Sequence, residues 1–302
     1  MLWLLFSCTS PTADTSSAPG SDSGVVSGDL EKLFSYALIA DPHVTGEGEH
    51  DARLRAAVEV VSERASSDGI ELVFVLGDIA WGGGYALAHD ALSALPVPWI
   101  PVFGDNPIQV GEEPSFEETF GAQLDALGEQ VAGWSREPVP VENPERGGES
   151  WLHNARLTHG GVEFWVVDWN SREVGTLFGE TPDLHDFPGG TLPFLSGALD
   201  DLGEGPDKRV VLLSHMAPFP GPGGLTVDEQ ETMRALFEPH TEAVWGNHAG
   251  HLHASSAMNW EELDFEIVTT DATWDDLNTI RIVEVWGDGS RFVYEDTLVD
   301  VD

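Results

Sequence analysis

The chain has 302 residues, of which 41% are hydrophobic and 22% charged, enough apolar material for one large domain or two small ones. Its 53 Asp and Glu residues against 13 Lys and Arg residues give a formal net charge of -40. Nucleic acids and anionic lipid surfaces are bound through clustered Lys and Arg, so this balance excludes nucleic acid as the main partner and a polybasic membrane contact. The acids are scattered in ones and twos, which indicates an acidic surface on a folded body. A salty or extracytoplasmic setting and simple solubility explain such a surface equally well.

The N-terminus predicts a lipid anchor. The only cysteine is Cys8, so intramolecular disulfides and Cys-rich zinc sites are excluded. The residues Leu5-Phe6-Ser7-Cys8 resemble a bacterial lipobox, in which the cysteine is lipidated and becomes the first residue of the mature chain. The apolar stretch has no preceding Lys or Arg and is shorter than the ~7–15 residues of a signal h-region. A frayed terminus with an incidental cysteine is the alternative.

Composition divides the chain into three segments. We expect residues 1–8 to be a lipoprotein-type signal remnant, residues 9–32 a flexible linker and residues 33–302 the folded domain. Residues 9–28 are almost all Ser, Thr, Pro, Gly, Ala and Asp, which cannot bury enough apolar surface to order themselves. No other segment approaches the ~18 apolar residues that span a bilayer. The predicted location is therefore extracytoplasmic, on a bacterial membrane, with a lipid at Cys8 as the only membrane attachment.

Short apolar runs alternate with helical patterns in the first part of the body. Strands are predicted over residues 34–40, 71–76 and 98–103, and helices over residues 51–65 and 85–95. Strand–helix–strand at this rhythm favours βαβ units and a parallel sheet.

The rest of the body contains helices, strands and one surface excursion. Helices are predicted over residues 116–134, 191–202 and 227–237. The stretch 137–150 is rich in Pro, Glu and Gly and is predicted to be a surface excursion. A hairpin is predicted over 151–157 and 162–167, and further strands over 209–213, 243–245, 265–270, 279–285 and 291–296.

Metal-capable side chains follow strand after strand. Taken singly, an Asp after a strand is more often a turn residue or a helix cap, and a lone His has many structural roles. In an open α/β sheet, however, the loops at the carboxyl ends of the strands converge on one crevice. We therefore expect seven side chains to meet: Asp41, His43, Asp78, Asp105, His215, His251 and His253.

These residues form an ordered set of motifs: Asp41-x-His43, Gly77-Asp78, Gly104-Asp105-Asn106, His215 and Gly250-His251-Leu252-His253. The set resembles the calcineurin-like metallophosphoesterases, which show D-x-H, G-D, G-N-H-[DE], a lone H and G-H-x-H. The resemblance covers about residues 34–297. It implies an α/β fold arranged as a four-layer α/β/β/α sandwich, with a dinuclear metal centre that hydrolyses phosphoesters.

The resemblance also implies how the ligands divide between two ions. One ion would be held by Asp41, His43 and His253, and the other by His215, His251 and the third motif, with Asp78 bridging both. Phosphoryl transfer needs charge neutralisation and in-line placement, which two ions roughly 3.5–4 Å apart supply while activating a water. Mixed imidazole and carboxylate ligands favour transition metals over Ca. We expect two divalent or trivalent ions, chosen from Fe, Mn and Zn.

The third motif departs from the family pattern. In a direct alignment, Asp105 replaces the ligand asparagine and Asn106 replaces the histidine. In a shifted alignment, Asn106 is the ligand and Asp105 lies in the turn. The direct alignment is favoured, and its extra negative charge should tighten metal binding while weakening the Lewis acid. In both alignments the family histidine thought to protonate the leaving group is missing, and a general acid is typically worth ~10²–10⁴ in rate.

Other residues could replace that acid or bind substrate. Asn106 can donate a hydrogen bond to phosphate, and His248 or His185 could supply the proton. The alternative for each histidine is a solvent-facing loop position. Asn170 and Arg172 end a predicted strand and could bind an anionic substrate, since Arg forms bidentate phosphate contacts. The alternative for Arg172 is a structural ion pair.

The sequence thus predicts a metallophosphoesterase, acting as a phosphomonoesterase or phosphodiesterase on a small-molecule or lipid phosphoester. The missing acid favours esters with a good leaving group. Trp81, just after the second motif, could wall the pocket or simply pack. The alternative function is a non-catalytic metal-binding surface lipoprotein that retains the fold. The altered third motif supports that alternative, and the six ligands outside the motif oppose it.

Overall fold

The computed structural model describes residues 30–172, 181–220, 224–274 and 278–301. The predicted signal remnant with Cys8, and nearly all of the predicted linker, lie outside the described residues. The first strand begins at Glu31, so the last two residues assigned to the linker belong to the folded body.

The described residues form fourteen β-strands and six α-helices. The strands are β1 (Glu31–Ile39), β2 (Ile70–Leu76), β3 (Trp99–Val102), β4 (Ala132–Arg136), β5 (Val141–Asn143), β6 (Gly148–Ser150), β7 (Ala155–His159), β8 (Val162–Val166), β9 (Val210–Leu213), β10 (Val244–Ala249), β11 (Ser256–Trp260), β12 (Phe265–Thr269), β13 (Thr279–Gly287) and β14 (Phe292–Asp300). The helices are α1 (Glu49–Asp68), α2 (Tyr85–Leu92), α3 (Asn106–Gln109), α4 (Glu113–Ala126), α5 (Thr191–Asp200) and α6 (Val227–Phe237).

Two large mixed sheets form the centre of the fold. The first has the strand order β14-β13-β1-β2-β3. Its strands β1, β2 and β3 are parallel, as the βαβ rhythm predicts, and β13 runs antiparallel to β1. The second has the order β11-β12-β10-β9-β8-β7-β4, with a parallel centre from β8 to β12 and antiparallel edges. β5 and β6 form a separate hairpin.

The two sheets pack face to face through aromatic side chains. Tyr36 and Phe74 of the first sheet contact Phe164 of the second, with ring centroids 5.2 and 5.1 Å apart. α1 covers the outer face of the first sheet, and α5 and α6 bury Leu195 and Met233 against the second. The four-layer α/β/β/α sandwich predicted from the sequence is confirmed.

Local sequence explains where the helices begin and end. α1 buries Leu54, Ala57, Val58 and Val61, a spacing that places them on one stripe of a helix. It ends at Gly69, whose φ of 68° is the left-handed cap that glycine favours. α6 begins with a capping box between Thr226 and Glu229. Within the described residues, no helix combines the length and apolarity needed to cross a membrane.

The structure differs from the predicted elements at three places. The helix predicted over 116–134 ends at Ala126, and Trp134 lies in β4. The helix is followed by a short 3₁₀ turn, Leu127–Glu129, and then by β4, in which Gly133 has a φ of 63°. The surface excursion 137–150 contains the hairpin β5–β6. β11 was missed because its short sequence, SAMNW, has little apolar alternation.

Candidate metal centre

All seven predicted ligands converge at the carboxyl ends of the strands. Asp41 and His43 follow β1, Asp78 follows β2, Asp105 follows β3, His215 follows β9, and His251 and His253 follow β10. We call these seven residues the strand-end cluster. Within it, ligand atoms lie within 4.8 Å of one another in three overlapping groups: Asp41–His43–His253, Asp105–His215–His251 and Asp41–Asp78–His215.

The first group surrounds the carboxylate of Asp41. His43 Nε2 lies 3.8 Å from Asp41 Oδ1 and 3.7 Å from Asp78 Oδ2. His253 Nε2 lies 3.6 Å from the same Asp41 oxygen. Asp41 Oδ2 also accepts a hydrogen bond of 3.0 Å from the backbone N–H of His251, which fixes the carboxylate against the last motif. The group contains the residues that the family resemblance assigns to one ion.

The second group surrounds the carboxylate of Asp105. His215 Nε2 lies 2.8 Å from Asp105 Oδ1, and His251 Nδ1 lies 3.7 Å from the same oxygen. The other ring nitrogen of His215 donates to the carbonyl oxygen of Leu76 at 3.0 Å. Because that carbonyl can only accept, it fixes the tautomer and leaves Nε2 as the ligand atom. Gln109 donates to Asp105 Oδ2 at 2.5 Å and orients the carboxylate.

One buried nitrogen of the cluster has no partner. His43 Nε2 is buried and makes no hydrogen bond among the described residues. It faces two buried carboxylates, Asp41 and Asp78, at distances too long for a hydrogen bond. Buried polar atoms are almost always satisfied, and a mixed imidazole–carboxylate set suits a transition-metal ion. The residues therefore fit the metal ions that the fold implies.

The electrostatics of the cluster reflect its burial and its crowded acids. Burial raises the pKa of Asp78 well above its usual range, and the neighbouring Asp105 and Asp41 add to the rise against the opposing His215. Burial acts in the same direction on Asp105, but the hydrogen bond with His215 and the adjacent ring of His251 outweigh it and hold that pKa well below its usual range. His43 and His253 do the same for Asp41.

The pKa of His215 follows from the same charges. Burial alone would lower it, but the carboxylates of Asp78, Asp105 and Asp41 together raise it well above the usual value. In the metal-free chain His215 is therefore held protonated between Leu76 and Asp105. A metal ion bound at Nε2 would have to displace that proton.

Five of the seven ligands have a left-handed backbone. The φ angles lie between 44° and 66° for Asp41, His43, Asp78, His251 and His253. A non-glycine residue in this region costs roughly 1–3 kcal/mol and persists only when the surroundings enforce it. Such residues concentrate at functional sites. The positive φ angles bend the D-x-H and H-x-H segments so that their side chains enter the same crevice. In an extended chain the two histidines of H-x-H would point to the same side, whereas the bend directs them to different ligand groups.

The glycines of the motifs make room for the ligands. A Cβ on Gly77 would lie 2.4 Å from His215 Nδ1, and one on Gly104 would lie 2.1 Å from Asp78 Oδ1. A Cβ on Gly250 would lie 2.5 Å from Asp41 Oδ2. Each glycine is required because a ligand from another motif occupies the space where its side chain would be.

The altered third motif places two polar side chains beside the other ligands. Asp105 joins His215 and His251 in one of the ligand groups. The backbone N–H of Asn106 donates to Asp78 Oδ1 at 2.9 Å, and its side-chain amide donates to Asp78 Oδ2. Both donors of Asn106 are thus directed at the carboxylate that would bridge the ions.

His248 does not meet the cluster. It lies in β10 and is buried, so the alternative of a solvent-facing loop histidine is wrong. Its Nε2 pairs with the hydroxyl of Tyr36 at 2.8 Å, and its ring packs on Trp245 at 4.6 Å. Burial lowers its pKa well below the usual value, and Arg281 adds to the effect. A neutral imidazole held between the sheets has no contact through which to protonate a leaving group.

Arg172 and Asn170 are also structural. Arg172 is fully buried, with Nη1 2.7 Å from Asp168 Oδ1 and Nη2 2.9 Å from Asp168 Oδ2. The structural ion pair weighed as its alternative is what the chain contains, and the burial argues against a phosphate contact. Asn170 is buried as well, and its amide donates to Phe103 O at 3.2 Å. It therefore braces the end of β3, just before Gly104 and Asp105.

His185 is buried and apart from the strand-end cluster. Its Nε2 pairs with the carbonyl oxygen of Asn170 at 3.0 Å, so the solvent-facing alternative is wrong for this histidine too.

An aromatic rim beside His43 was only half anticipated. Trp81 and Trp274 lie against the ring of His43, with centroids 5.0 and 5.3 Å away. Trp274 Nε1 also donates to His253 Nδ1 at 3.2 Å, which fixes that ring. Trp274 follows no motif and comes after Thr273 in an apolar-poor loop, so only the position of a large aromatic near the end of β12 could have indicated it.

Comparison with known proteins identifies the fold but no close relative. No family model matches the chain, and no curated protein matches it. Among solved structures it superposes on the sulfate thiohydrolase SoxB of Thermus thermophilus with a TM-score of 0.50 and 14% identity, over 90% of this chain and 57% of that one. The fold is that of the metallophosphoesterases. The chain spans only 57% of the length of the SoxB chain.

Two further structures superpose more loosely. They are GAP50, the anchor in the inner membrane complex of Plasmodium, with a TM-score of 0.44, 9% identity and 90% of each chain covered, and vacuolar protein sorting 29 of Cryptosporidium parvum, with a TM-score of 0.34, 10% identity and coverage of 89% and 100%. At these scores they carry no argument about function.

Proposed function

We propose that the chain is a metal-dependent phosphoester hydrolase of the calcineurin-like superfamily, with two metal ions in the strand-end cluster. The observation that carries the proposal is the pair of ligand groups, Asp41–His43–His253 and Asp105–His215–His251, with Asp78 near both. The buried and unpartnered His43 Nε2 supports it. The family order of motifs along the chain supports it independently.

Each group would hold one ion, and Asp78 would face both. When bound, the ions supply charge neutralisation at the phosphate and an activated water. The chain's own residues orient the ligands: the carbonyl of Leu76 fixes the tautomer of His215, and the indole of Trp274 holds His253. The two donors of Asn106 hold Asp78. The motif glycines let the ligands approach one another without a clash.

The substrate class follows from what the cluster lacks. Neither Asn106 nor the buried His248 offers a proton to a leaving group. A leaving group that departs as a stable anion needs no general acid, so we propose aryl-type or similarly activated phosphoesters as substrates. The rim formed by Trp81 and Trp274 beside His43 suits a flat apolar group.

The proposal is tested by measuring metal content and turnover together. The purified protein should contain at least two metal ions per chain and hydrolyse nitrophenyl phosphate or bis-nitrophenyl phosphate. In Asp78→Asn, metal content and turnover should both fall. Asp90→Asn is the matched control, since Asp90 is exposed on α2 and pairs with Arg55 at the surface, so this variant should keep both.

A second candidate function is a non-catalytic metal-binding protein that retains the fold. Asn106 favours it, because an amide directed at Asp78 stands where the family has its histidine. Two metal ions with no turnover on a broad phosphoester panel would support this candidate against hydrolysis. A protein that takes up no metal in stoichiometric amounts would contradict both.

We also propose that a lipid on Cys8 tethers the domain to the outside of a bacterial membrane. The support is the lipobox-like sequence before Cys8 and the tether-like composition after it. In cells expressing the chain with its N-terminus, the protein should fractionate with membranes and incorporate labelled fatty acid. Cys8→Ser should abolish both, and labelling that persists in this variant would contradict the anchor.

A further inference from the structure

A second group of metal-capable side chains lies outside the strand-end cluster. It consists of Glu145, Asp183 and His185, each with one ligand atom within 4.8 Å of the others. Glu145 is in the turn between β5 and β6, and the other two precede α5. None of the three has a part in the proposed phosphoesterase chemistry. We call them the hairpin group.

The tautomer of His185 is set by its surroundings. Its Nε2 lies 3.0 Å from the carbonyl oxygen of Asn170, and because a carbonyl can only accept, Nε2 must carry the hydrogen. The lone pair is then on Nδ1. A backbone carbonyl that fixes one ring nitrogen is the usual partner of a metal-binding histidine.

The free lone pair of His185 points at two carboxylates. Nδ1 is fully buried and makes no hydrogen bond among the described residues. It lies 3.6 Å from Glu145 Oε2 and 3.6 Å from Asp183 Oδ2. Three acceptor atoms therefore face one another, with no donor of the described chain between them. Such an arrangement is repulsive unless a cation occupies it.

The spacing suits a metal ion better than a proton. A proton on Nδ1 would have to bridge 3.6 Å, beyond the 2.7–3.2 Å of a normal N–H···O hydrogen bond. Tetrahedral Zn²⁺, with Zn–N and Zn–O bonds of about 2.0–2.2 Å, holds its ligand atoms about 3.4 Å apart. The two nitrogen–oxygen distances in the hairpin group are close to that value.

The carboxylate of Asp183 is already oriented for binding. Its Oδ1 accepts the backbone N–H of His185 at 2.8 Å, which leaves Oδ2 for the shared position. The φ of His185 is 49°, a left-handed conformation that turns its ring back toward Asp183. Glu145 is exposed, so a water can complete the coordination from the solvent side.

We propose that Glu145, Asp183 and His185 bind a single divalent transition-metal ion, with Zn²⁺ as the best-suited ion. One imidazole and two carboxylates are too nitrogen-rich for Ca²⁺ and match Zn²⁺ or Mn²⁺. The ion would tie the β5–β6 hairpin to the segment that precedes α5, where Gly189 already lies against Val141. Its role is structural.

Two hydrogen bonds connect the hairpin group to the segment that carries Asp105. His185 holds the carbonyl of Asn170, and the amide of Asn170 holds the carbonyl of Phe103. Phe103 directly precedes Gly104 and Asp105. Loss of the hairpin ion should therefore loosen the end of β3 without removing any ligand of the strand-end cluster.

The test uses the full chain, stripped with a chelator and reloaded with Zn²⁺. Metal content is measured after gel filtration, and affinity by calorimetric titration. To separate the sites, the measurement is repeated in an Asp41→Asn, Asp105→Asn background, which removes a carboxylate from each of the two ion groups of the strand-end cluster. We expect one Zn²⁺ to remain in that background, and we expect Glu145→Gln or His185→Gln to remove it or weaken it at least ~10-fold, since even partners that only support a ligand change affinity 10–100-fold.

The matched control is Glu142→Gln. Glu142 is an exposed glutamate on β5 of the same hairpin, with the same change of charge and no place in the group, so this variant should keep the ion. Glu145 is exposed as well, so its substitution leaves folding intact. Equal Zn²⁺ content in Glu145→Gln, His185→Gln and the parent would overturn the proposal, as would an equal loss in Glu142→Gln. Neither outcome depends on whether the strand-end cluster hydrolyses phosphoesters.

Discussion

Two buried groups of charges in this molecule follow strand ends and yet are built in opposite ways. In the first, Asp168 after β8 is held by both Nη atoms of Arg172, whose Nε lies 3.5 Å from Glu113, and Glu113 also receives Arg146. We call Asp168, Arg172, Glu113 and Arg146 the arginine cluster. Each of its carboxylates has a guanidinium of its own.

The strand-end cluster has no guanidinium among the described residues. Its three carboxylates, Asp41, Asp78 and Asp105, face imidazoles, and one imidazole nitrogen makes no hydrogen bond within that part of the chain. Position after a strand does not distinguish the two clusters, because Asp78 and Asp168 both directly follow one. The two clusters differ in whether a guanidinium or only imidazoles face the buried carboxylates.

The strongest test of this difference is Arg172→Met. It leaves the carboxylate of Asp168 buried and without its ion pair, which should lower the free energy of unfolding by about 3–5 kcal/mol. Chemical denaturation measures it. Arg156→Met is the control, because Arg156 pairs with exposed Asp201 at the surface and such pairs contribute at most about 1 kcal/mol. Near-normal stability combined with a raised KM for phosphoesters would show that Arg172 binds substrate and is not a structural residue.

Low pH should reduce the stability of the fold through a histidine that packs beside the arginine cluster. His153 stacks on Phe103 and Phe116, and burial lowers its pKa to about 3, assisted by Arg172 and Arg136 against Asp168. Near pH 6.5 and below, His153 binds a proton in the unfolded chain but stays neutral in the folded chain until the pH approaches 3.

The stability linked to His153 is therefore complete above pH 6.5 and is lost as the pH falls toward 3, at up to about 1.4 kcal/mol per pH unit. His153→Phe should flatten the decline between pH 6.5 and 4.5 by that amount, as measured by urea midpoints. His248, whose pKa is also lowered, and the carboxylate of Glu117, 3.9 Å from His153, remain in this variant. An unchanged slope would show that His153 already binds its proton in the folded state.

A paired substitution compares the two clusters directly in metal-free protein. Asp168→Asn should destabilise the fold because it takes a charge away from buried Arg172. Asp78→Asn should stabilise it by roughly 1 kcal/mol or more, because one of three crowded carboxylates is removed. Thermal unfolding in the presence of a chelator measures both. The same sign for both variants would mean that the strand-end cluster is compensated within the chain after all.

Asn106→His would give the strand-end cluster an ionisable donor beside Asp78. If a general acid is what the cluster lacks, turnover of an alkyl phosphate should rise at least ~10-fold, below the ~10²–10⁴ of a fully positioned acid, while an aryl phosphate changes little. Steady-state kinetics on the two esters measure the ratio. A variant that gains nothing on the alkyl ester refutes the missing-acid explanation.

The smallest effect concerns the whole surface. At a net charge of -40, long-range repulsion should slow the approach of an anionic substrate, and moderate salt screens it over a Debye length of ~8–10 Å. We expect kcat/KM to rise a few-fold from low to moderate salt. A clear fall, with metal content unchanged, would mean that local attraction by the cluster controls the encounter.

The sequence predicted the membership of the strand-end cluster because strand ends converge and the motifs occur in a family order. It left Arg172 open between a substrate contact and a structural ion pair, since the partners Asp168, Glu113 and Trp151 are brought to it only by packing. It could not give the left-handed turns at His43 or His253 either, because the enrichment of histidine at positive φ does not single out these positions. In the fold, helical spacing of apolar residues predicted α1 and α6, and a continuous apolar run predicted β2. β11 and the β5–β6 hairpin have little apolar patterning and depend on tertiary pairing.

The central position of β1 has a consequence for how the chain acquires its structure. β1 pairs with β2, which follows about 30 residues later, and with β13, where Glu31 is opposite Gly287. The pairing of β1 with β13 joins residues that are far apart in the sequence, and contacts of such long range slow folding. During synthesis β1 therefore keeps one edge unpaired until nearly the whole chain has emerged, so the strand-end cluster, to which Asp41 contributes, can be completed only late in folding.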